Sequence, residues 1–166
     1  SITVPASQAG PDNDILYVAV VERHGKNGNV SLGLVKGFGL KRGALASTVA
    51  HDSHNLVLVG SSPEDMELAA HAVAELGGGL AVVAQGRVLG SLALPVGGLM
   101  SDQDAGSVSR GLERLHRLAR ELGSTLPSPF MTMSFLALAV IPELKITDKG
   151  LVDVGSFALV DLWVEK

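Results

Sequence analysis

The sequence predicts an α+β fold with a mixed or mainly antiparallel sheet and two principal helices. Short apolar runs rich in β-branched residues are separated by glycines and polar residues, which is typical of strands joined by turns. Two longer segments instead repeat their apolar residues at helical spacing. The chain has 166 residues, 46% of them hydrophobic, so it is long enough to bury a core of its own.

The first half of the chain predicts strands with polar connections. The run ILYVAVV at Ile15–Val21 is followed by Glu22, Arg23, His24 and the turn-rich GKNGN, and it predicts a buried strand that ends in a polar loop. Further strands are predicted at 30–35 and 44–50. The segment HDSHN then interrupts two apolar flanks, which indicates a hairpin tip at 51–55.

Two helices follow. Ser62 can cap the first, Pro63 suits its first position, Asp65 stands three residues after the cap, and Gly77 ends it. The second helix is predicted from about 104 to 122 and stops at Gly123.

A hairpin is also predicted between the helices, at 80–84 and 88–94, and a last strand at 157–164. Each helix therefore follows a hairpin, and both end in Glu-Leu-Gly. An internal hairpin-plus-helix duplication is one hypothesis for this order. The Met and Phe residues of FMTMSF at 130–135 are expected to fill the core.

Composition narrows the class of protein. Residues 1–14 are polar and contain Pro and Gly, so we expect a linker or disordered segment there and one domain at 15–166. The net charge is −4, which disfavours nucleic acid and anionic membranes as partners. The absence of Cys excludes disulfides, thiol nucleophiles and Cys-bound zinc. The apolar stretch at 130–141 is shorter than the roughly 20 residues of a membrane span, and we expect a cytoplasmic protein.

The most suggestive polar group is His51, Asp52 and His54, with Glu22 and His24 at the end of another strand. If the two loops are neighbours, these side chains can converge for divalent-metal binding or proton transfer. The alternative is a polar loop whose side chains bond to the backbone of the turn. The glycines at 37, 39 and 43 have the spacing GxGxxxG, which departs from a dinucleotide fingerprint and indicates tight bends.

Three long segments resemble the C-terminal domain of bacterial adenine deaminase. They are ERHGKNGNVSLGLVKGFGLKRGALASTVAHDSHNLVLVG at 22–60, LALPVGGLMS at 92–101 and PFMTMSFLALAVIPELKITDKGLVDV at 129–154. The resemblance extends over about 15–164, almost the whole chain.

The resemblance implies a role in purine salvage. Members of this family hydrolyse adenine to hypoxanthine and ammonia with manganese or iron held in an amidohydrolase barrel that precedes this domain. That centre uses an HxH pair, and this sequence contains none. No cofactor is therefore expected in this chain alone, no catalytic residue is assigned to it, and the isolated chain is expected to be inactive. The implied partners are the barrel of the parent chain, adenine as the parent's substrate, and further copies in a homo-oligomer.

Two hypotheses about this domain follow from the resemblance. In the first, it forms a wall or lid of the active site, and the residues that face the barrel mouth are Glu22, Arg23, His24, His51, Asp52, Ser53, His54 and Asn55. In the second, the domain is purely structural or mediates oligomerisation without contacting the substrate. Metal binding at His51 and His54 alone is a third possibility.

Overall fold

The computed structural model describes residues 1–164, and its centre is a six-stranded antiparallel sheet. The strand order is β2-β1-β4-β3-β5-β6, and every neighbouring pair is antiparallel. This confirms the predicted fold class. The strands are β1 Ile15–Val21, β2 Val30–Lys36, β3 Ala44–Ser47, β4 Leu56–Gly60, β5 Gly79–Ala84 and β6 Arg87–Ala93.

Helices cover both faces of this sheet, α1 Pro63–Glu75 on one and α2 Ala105–Glu121 with α3 Pro129–Leu136 on the other. Side chains alternate between the faces of a strand, so Ala44 and Ala46 face α1 while Leu45 faces α2 and α3. The strands β3, β4 and β5 are buried along their whole length. They form a rigid centre from which the loops extend.

A small second sheet packs beside β1 and β2. Its strands are β7 Leu144–Thr147, β8 Gly150–Asp153 and β9 Ala158–Val160, in the order β7-β8-β9. A Cβ at Gly33 of β2 would lie 3.2 Å from Leu151 and 3.3 Å from Ile146, so the glycine lets the small sheet approach closely. The third strand, β9, is exposed over its whole length.

The predicted helix boundaries are confirmed by their caps. The Ser62 hydroxyl accepts a hydrogen bond from the backbone N–H of Asp65 at 3.3 Å, and Pro63 is the first helical residue. Asp104 caps α2 by accepting from the N–H of Ser107 at 3.0 Å. The buried Asp65 carboxylate itself accepts from the N–H groups of Gln85 and Gly86. It therefore fastens α1 to the turn between β5 and β6.

Several predicted elements differ in extent. The strand predicted at 44–50 ends at Ser47, because Thr48 turns its N–H and hydroxyl toward Gly79. The last strand is confined to Ala158–Val160. A third helix, α3, occupies part of the apolar run at 130–141, where Pro129 opens it. Its apolar residues surround the helix instead of following one face, so the sequence carried little helical period there.

A further prediction concerns the order of hairpins and helices along the chain. The hairpin-plus-helix order occurs twice, as β3–β4–α1 and β5–β6–α2, but the two helices lie on opposite faces of the sheet.

The N-terminal residues form two short 3₁₀ turns, Ala6–Gln8 and Pro11–Asn13, and a linker role there stays a prediction. Residues 165 and 166 of the predicted domain lie outside the described residues. None of the helices within 1–164 has the length and apolar character needed to cross a membrane.

Candidate functional site

The polar loops singled out by the sequence lie side by side at one end of the large sheet. Antiparallel pairing of β1 with β4 places Val21 opposite Leu56, so the loop after β1 meets the loop before β4. The loop between β6 and α2 joins them through Gly97 and Gly98. We call residues 22–28, 48–55 and 95–101 the loop cluster.

Arg23 connects all three segments of the loop cluster. Its Nε donates to the carbonyl of His54 at 2.5 Å, and its Nη2 donates to the carbonyl of Gly97 at 2.8 Å. Its backbone N–H donates to Oδ1 of the buried Asn55 at 3.4 Å. A Cβ at Gly98 would lie 2.6 Å from the guanidinium, so this glycine makes room for Arg23. The arginine thus fixes the relative position of the loops.

Glu22 organises the loop that follows β1. Its buried carboxylate accepts hydrogen bonds from the backbone N–H groups of four residues, His24, Lys26, Asn27 and Gly28. Burial raises the pKa of this carboxyl, but the four hydrogen bonds together outweigh it and lower the pKa of Glu22 to about 2. Glu22 is therefore an ionised anchor inside the loop.

The tip of the β3–β4 loop is exposed and is held from one side by His24. The Nε2 atom of His24 lies 2.7 Å from the carbonyl oxygen of Ser53, so this nitrogen carries the proton and donates. Asp52 and Ser53 are exposed at the tip. The two polar loops are thus neighbours, which is the condition under which their side chains could converge.

His51 and His54 lie together beside α3. Their ring centroids are 6.0 Å apart in an edge arrangement, and the His51 ring centroid lies 5.2 Å from that of Phe135. The backbone N–H of Ala50 donates to Nδ1 of His54 at 3.2 Å. Burial, followed by the charges of His51 and Arg23, lowers the pKa of His54. The ring is therefore neutral near pH 7 and carries its proton on Nε2.

These side chains do not support the third possibility, a metal site at His51 and His54 alone. Among residues 1–164, no three His, Asp or Glu side chains come together in a way that could hold a metal ion. Nδ1 of His54 is occupied by a backbone N–H, and Nε2 of His24 by a carbonyl. His51 and His54 thus have no third ligand in the described part of the chain.

Sequence reasoning missed two features of the loop cluster. Thr48 is buried, accepts from the N–H of Gly79 at 2.9 Å and donates to the carbonyl of Gly98 at 2.6 Å, which ties two loops together. The β6–α2 loop also exposes an apolar rim at Val96, Leu99 and Met100. The pair Gly97-Gly98 was the sequence signal for a close approach there.

The expectation that all Met and Phe residues of 130–135 fill the core is wrong for two of them. Phe130 and Met133 are buried, whereas Met131 and Phe135 are exposed. A helix turns its residues through the full circle, so one eight-residue helix against a sheet cannot bury every side chain. Phe135 instead lies exposed next to His51 of the loop cluster.

The fold and the loop cluster define an α+β domain that presents three interlocked loops at one end of a rigid sheet. The chain belongs to the adenine deaminase C-terminal domain family, whose model matches residues 2–158. It is 59% identical over 153 residues to adenine deaminase of Desulfatibacillum aliphaticivorans, covering 92% of this chain and 27% of that protein. It is 56% identical over 164 residues to adenine deaminase 1 of Carboxydothermus hydrogenoformans, covering 95% of this chain and 27% of that protein.

A third relative, the adenine deaminase of Moorella thermoacetica, is 52% identical over 166 residues, with 98% of this chain and 28% of that protein covered. These matches confirm the resemblance drawn from the three long segments. The chain spans little more than a quarter of the length of the curated relatives that it matches.

Proposed function

We propose that this chain is the C-terminal domain of a longer adenine deaminase, a cytoplasmic hydrolase of purine salvage that converts adenine and water to hypoxanthine and ammonia. The family match over 2–158 and the names of the relatives support this proposal. The share of the relatives that is covered also supports it, because nearly three quarters of their length lies outside this segment. That remainder is large enough to contain a catalytic barrel.

The manganese or iron of such an enzyme is assigned to the barrel outside this chain. Three donor groups of the loop cluster support that assignment, since the Glu22 carboxylate, Nε2 of His24 and Nδ1 of His54 are each engaged with the backbone. In the proposal, this domain contributes shape and hydrogen-bonding groups to the active site. The metal chemistry belongs to the remainder of the longer protein.

The loop cluster is the surface that we propose faces the barrel mouth, as a wall or lid over adenine. The observation that carries this is the convergence of three loops on one surface, locked together by Arg23 and Thr48. Loops held on a rigid sheet are common carriers of binding contacts. Within 1–164, no hydrogen bond engages either ring nitrogen of His51 or Nε2 of His54. These atoms are the groups that we expect to meet the substrate or the barrel.

A second candidate is a purely structural or oligomerisation domain without substrate contact. The bonding of Glu22, Arg23 and His24 favours it, because their polar atoms serve backbone groups of the loops themselves. In this alternative, the loop cluster is a stable surface that buries part of the barrel or of another copy.

The test replaces His51 and His54 by Ala in the full-length enzyme. The left-handed backbone of His54, with φ +50°, strains an alanine, so His54→Asn is included as a variant that tolerates this conformation. If the loop cluster faces the active site, kcat/KM for adenine falls about 10-fold or more, which corresponds to about 1.4 kcal/mol of lost transition-state stabilisation. The melting temperature should change little.

The matched control is His71→Ala, since His71 is an exposed histidine on α1 and is not part of the loop cluster. It should retain wild-type activity. Full activity of the His51 and His54 variants would contradict the lid role and favour the structural alternative. In a parallel measurement, the 166-residue chain with manganese should not deaminate adenine, and turnover above background would contradict the assignment of the metal to the barrel.

A further inference from the structure

The last residues of the described chain form an exposed apolar surface. We call Phe157, Leu159, Val160, Trp163 and Val164 the C-terminal apolar strip. Phe157 is 83% exposed, Leu159 60%, Trp163 66% and Val164 71%. Single exposed apolar residues are common on protein surfaces, but a run of them that includes two aromatic residues is typical of an interface.

The backbone of this strip is also unpartnered on one side. Within residues 1–164, β9 pairs with β8 alone, which leaves it as an edge strand of the small sheet. Neighbouring residues of a strand point to opposite faces, and all three residues of β9 are exposed. An edge strand with apolar side chains on both faces readily pairs with another chain segment.

The strip borders a groove of about 870 Å³ that the N-terminal residues also line. Ile2 and Val4 lie along the groove with Trp163, and Leu34 and Leu151 contribute from the two sheets. Most of the lining is apolar, and Lys36, Glu143, Asp153 and Asp161 add charge. The groove thus brings both ends of the described chain to one apolar surface.

The position of Ser1 indicates what covers this groove. A polypeptide that continues before Ser1 leaves directly from the groove, because residues 1–6 line it. The relatives are more than three times as long as this segment. A segment attached at the groove is present there at a high effective concentration, which a free partner does not have.

We propose that the C-terminal apolar strip and the free edge of β9 pack against the part of the same polypeptide that precedes Ser1. This inference rests on the proposed function, which supplies the longer chain. In that chain the nitrogen of Ser1 is an amide, so its ion pair with Glu143 is lost and the Glu143 carboxylate becomes available to the docked segment. The surface that receives the docked segment therefore combines an apolar strip with an acidic side chain at its rim.

The experiment places the photoreactive residue p-benzoylphenylalanine at position 163 of the full-length protein. Equal amounts of unlabelled and ¹⁵N-labelled chains are mixed, irradiated and digested, and the cross-linked peptides are identified by mass spectrometry. We expect cross-links from position 163 to peptides upstream of Ser1, within chains of one isotope. Position 157 serves in the same way should the variant at 163 not fold, since Phe157 is the most exposed residue of the strip.

The matched control is the same photoreactive residue at position 88. Val88 is also an exposed apolar residue, but it lies on β6, at the sheet edge farthest from β2 and the small sheet. We expect the yield of upstream cross-links to be about 10-fold higher at 163 than at 88, because a tethered and docked segment stays in contact with the strip.

Two results would overturn the inference. Mixed-isotope cross-links as abundant as single-isotope ones would assign the strip to a second copy, and yields at 163 no higher than at 88 would show that nothing covers it. Adenine turnover of the unmodified full-length protein is measured in parallel. An active enzyme without upstream cross-links refutes this inference alone, whereas an inactive protein with them refutes the proposed function alone.

Discussion

At the scale of single residues, the charged groups of the loop cluster act mainly on the backbone. Glu22 gathers four N–H groups and Arg23 binds two carbonyls, so each compensates backbone groups that the loops leave without a strand partner. A residue type that is typical of catalysis can therefore serve the architecture of a loop. The histidines His51 and His54 differ, because each keeps a ring nitrogen free of hydrogen bonds within 1–164.

Replacement of Glu22 by Gln tests its anchoring role. The pKa of Glu22 is about 2 in the folded chain, below its ordinary value of 4.5. The ionised carboxylate therefore stabilises the fold above about pH 4.5, and this contribution is lost as pH falls toward 2. We expect Glu22→Gln to lower the melting temperature at pH 7 and to differ less from wild type at pH 3.

The control for this prediction is Asp52→Asn, at an exposed carboxylate of the β3–β4 loop that makes no hydrogen bond within the described residues. Its melting temperature should match wild type at both pH values. Thermal unfolding followed by circular dichroism measures all three proteins. A loss in Glu22→Gln that is equally large at pH 3 and pH 7 would contradict an ionised anchor.

At the scale of elements, features that depend on neighbouring residues could be predicted from the sequence, whereas contacts between distant residues could not. The cap at Ser62 and the turn of HDSHN could be predicted because each depends on neighbouring residues. The same local pattern did not reveal that the Asp65 carboxylate bonds to a turn 20 residues away. Arg23 contacts carbonyls 31 and 74 residues away. Such partners depend on the strand order, which the sequence alone does not reveal.

The bend before β3 provides a prediction at this scale. Gly43 has φ +79°, and a Cβ there would lie 2.3 Å from the carbonyl oxygen of Val83 on β5. Gly43→Ala should therefore lower the free energy of unfolding by about 3 kcal/mol or more, from backbone strain together with the overlap. Gly37 also has a positive φ, +104°, but nothing lies within 4 Å of its Cβ position.

Gly37→Ala is accordingly the matched control, with an expected loss of about 1 to 2 kcal/mol from strain alone. Urea unfolding of both variants measures the difference. Equal losses in the two variants would mean that the close approach of Gly43 to β5 contributes nothing to stability.

At the scale of the whole molecule, the loop cluster and the C-terminal apolar strip lie at separate places along β1. The loop cluster begins after Val21, whereas the groove is lined by Ile15 at the other end of the strand. Seven residues of β-strand extend about 20 Å. The part of the relatives that lies outside the matched segment is nearly three times as long as this domain. A single partner of that size can therefore reach both surfaces. One docked domain could then be held at the strip while its active site meets the loops.

If the proposed partner lies outside these 166 residues, the isolated chain leaves the strip uncovered, and this leads to a last prediction. Its bare edge strand and apolar strip should associate with other copies, because unpaired apolar edges promote aggregation. Leu159→Lys places a charge on the edge and should weaken self-association about 10-fold, or about 1.4 kcal/mol, while Val88→Lys on the remote edge should not. Light scattering over a concentration series measures this, and a wild-type chain that stays monomeric throughout would contradict it. The full-length protein carries the same strip, so if its partner segment covers β9, Leu159→Lys there should lower the melting temperature without changing the oligomeric state.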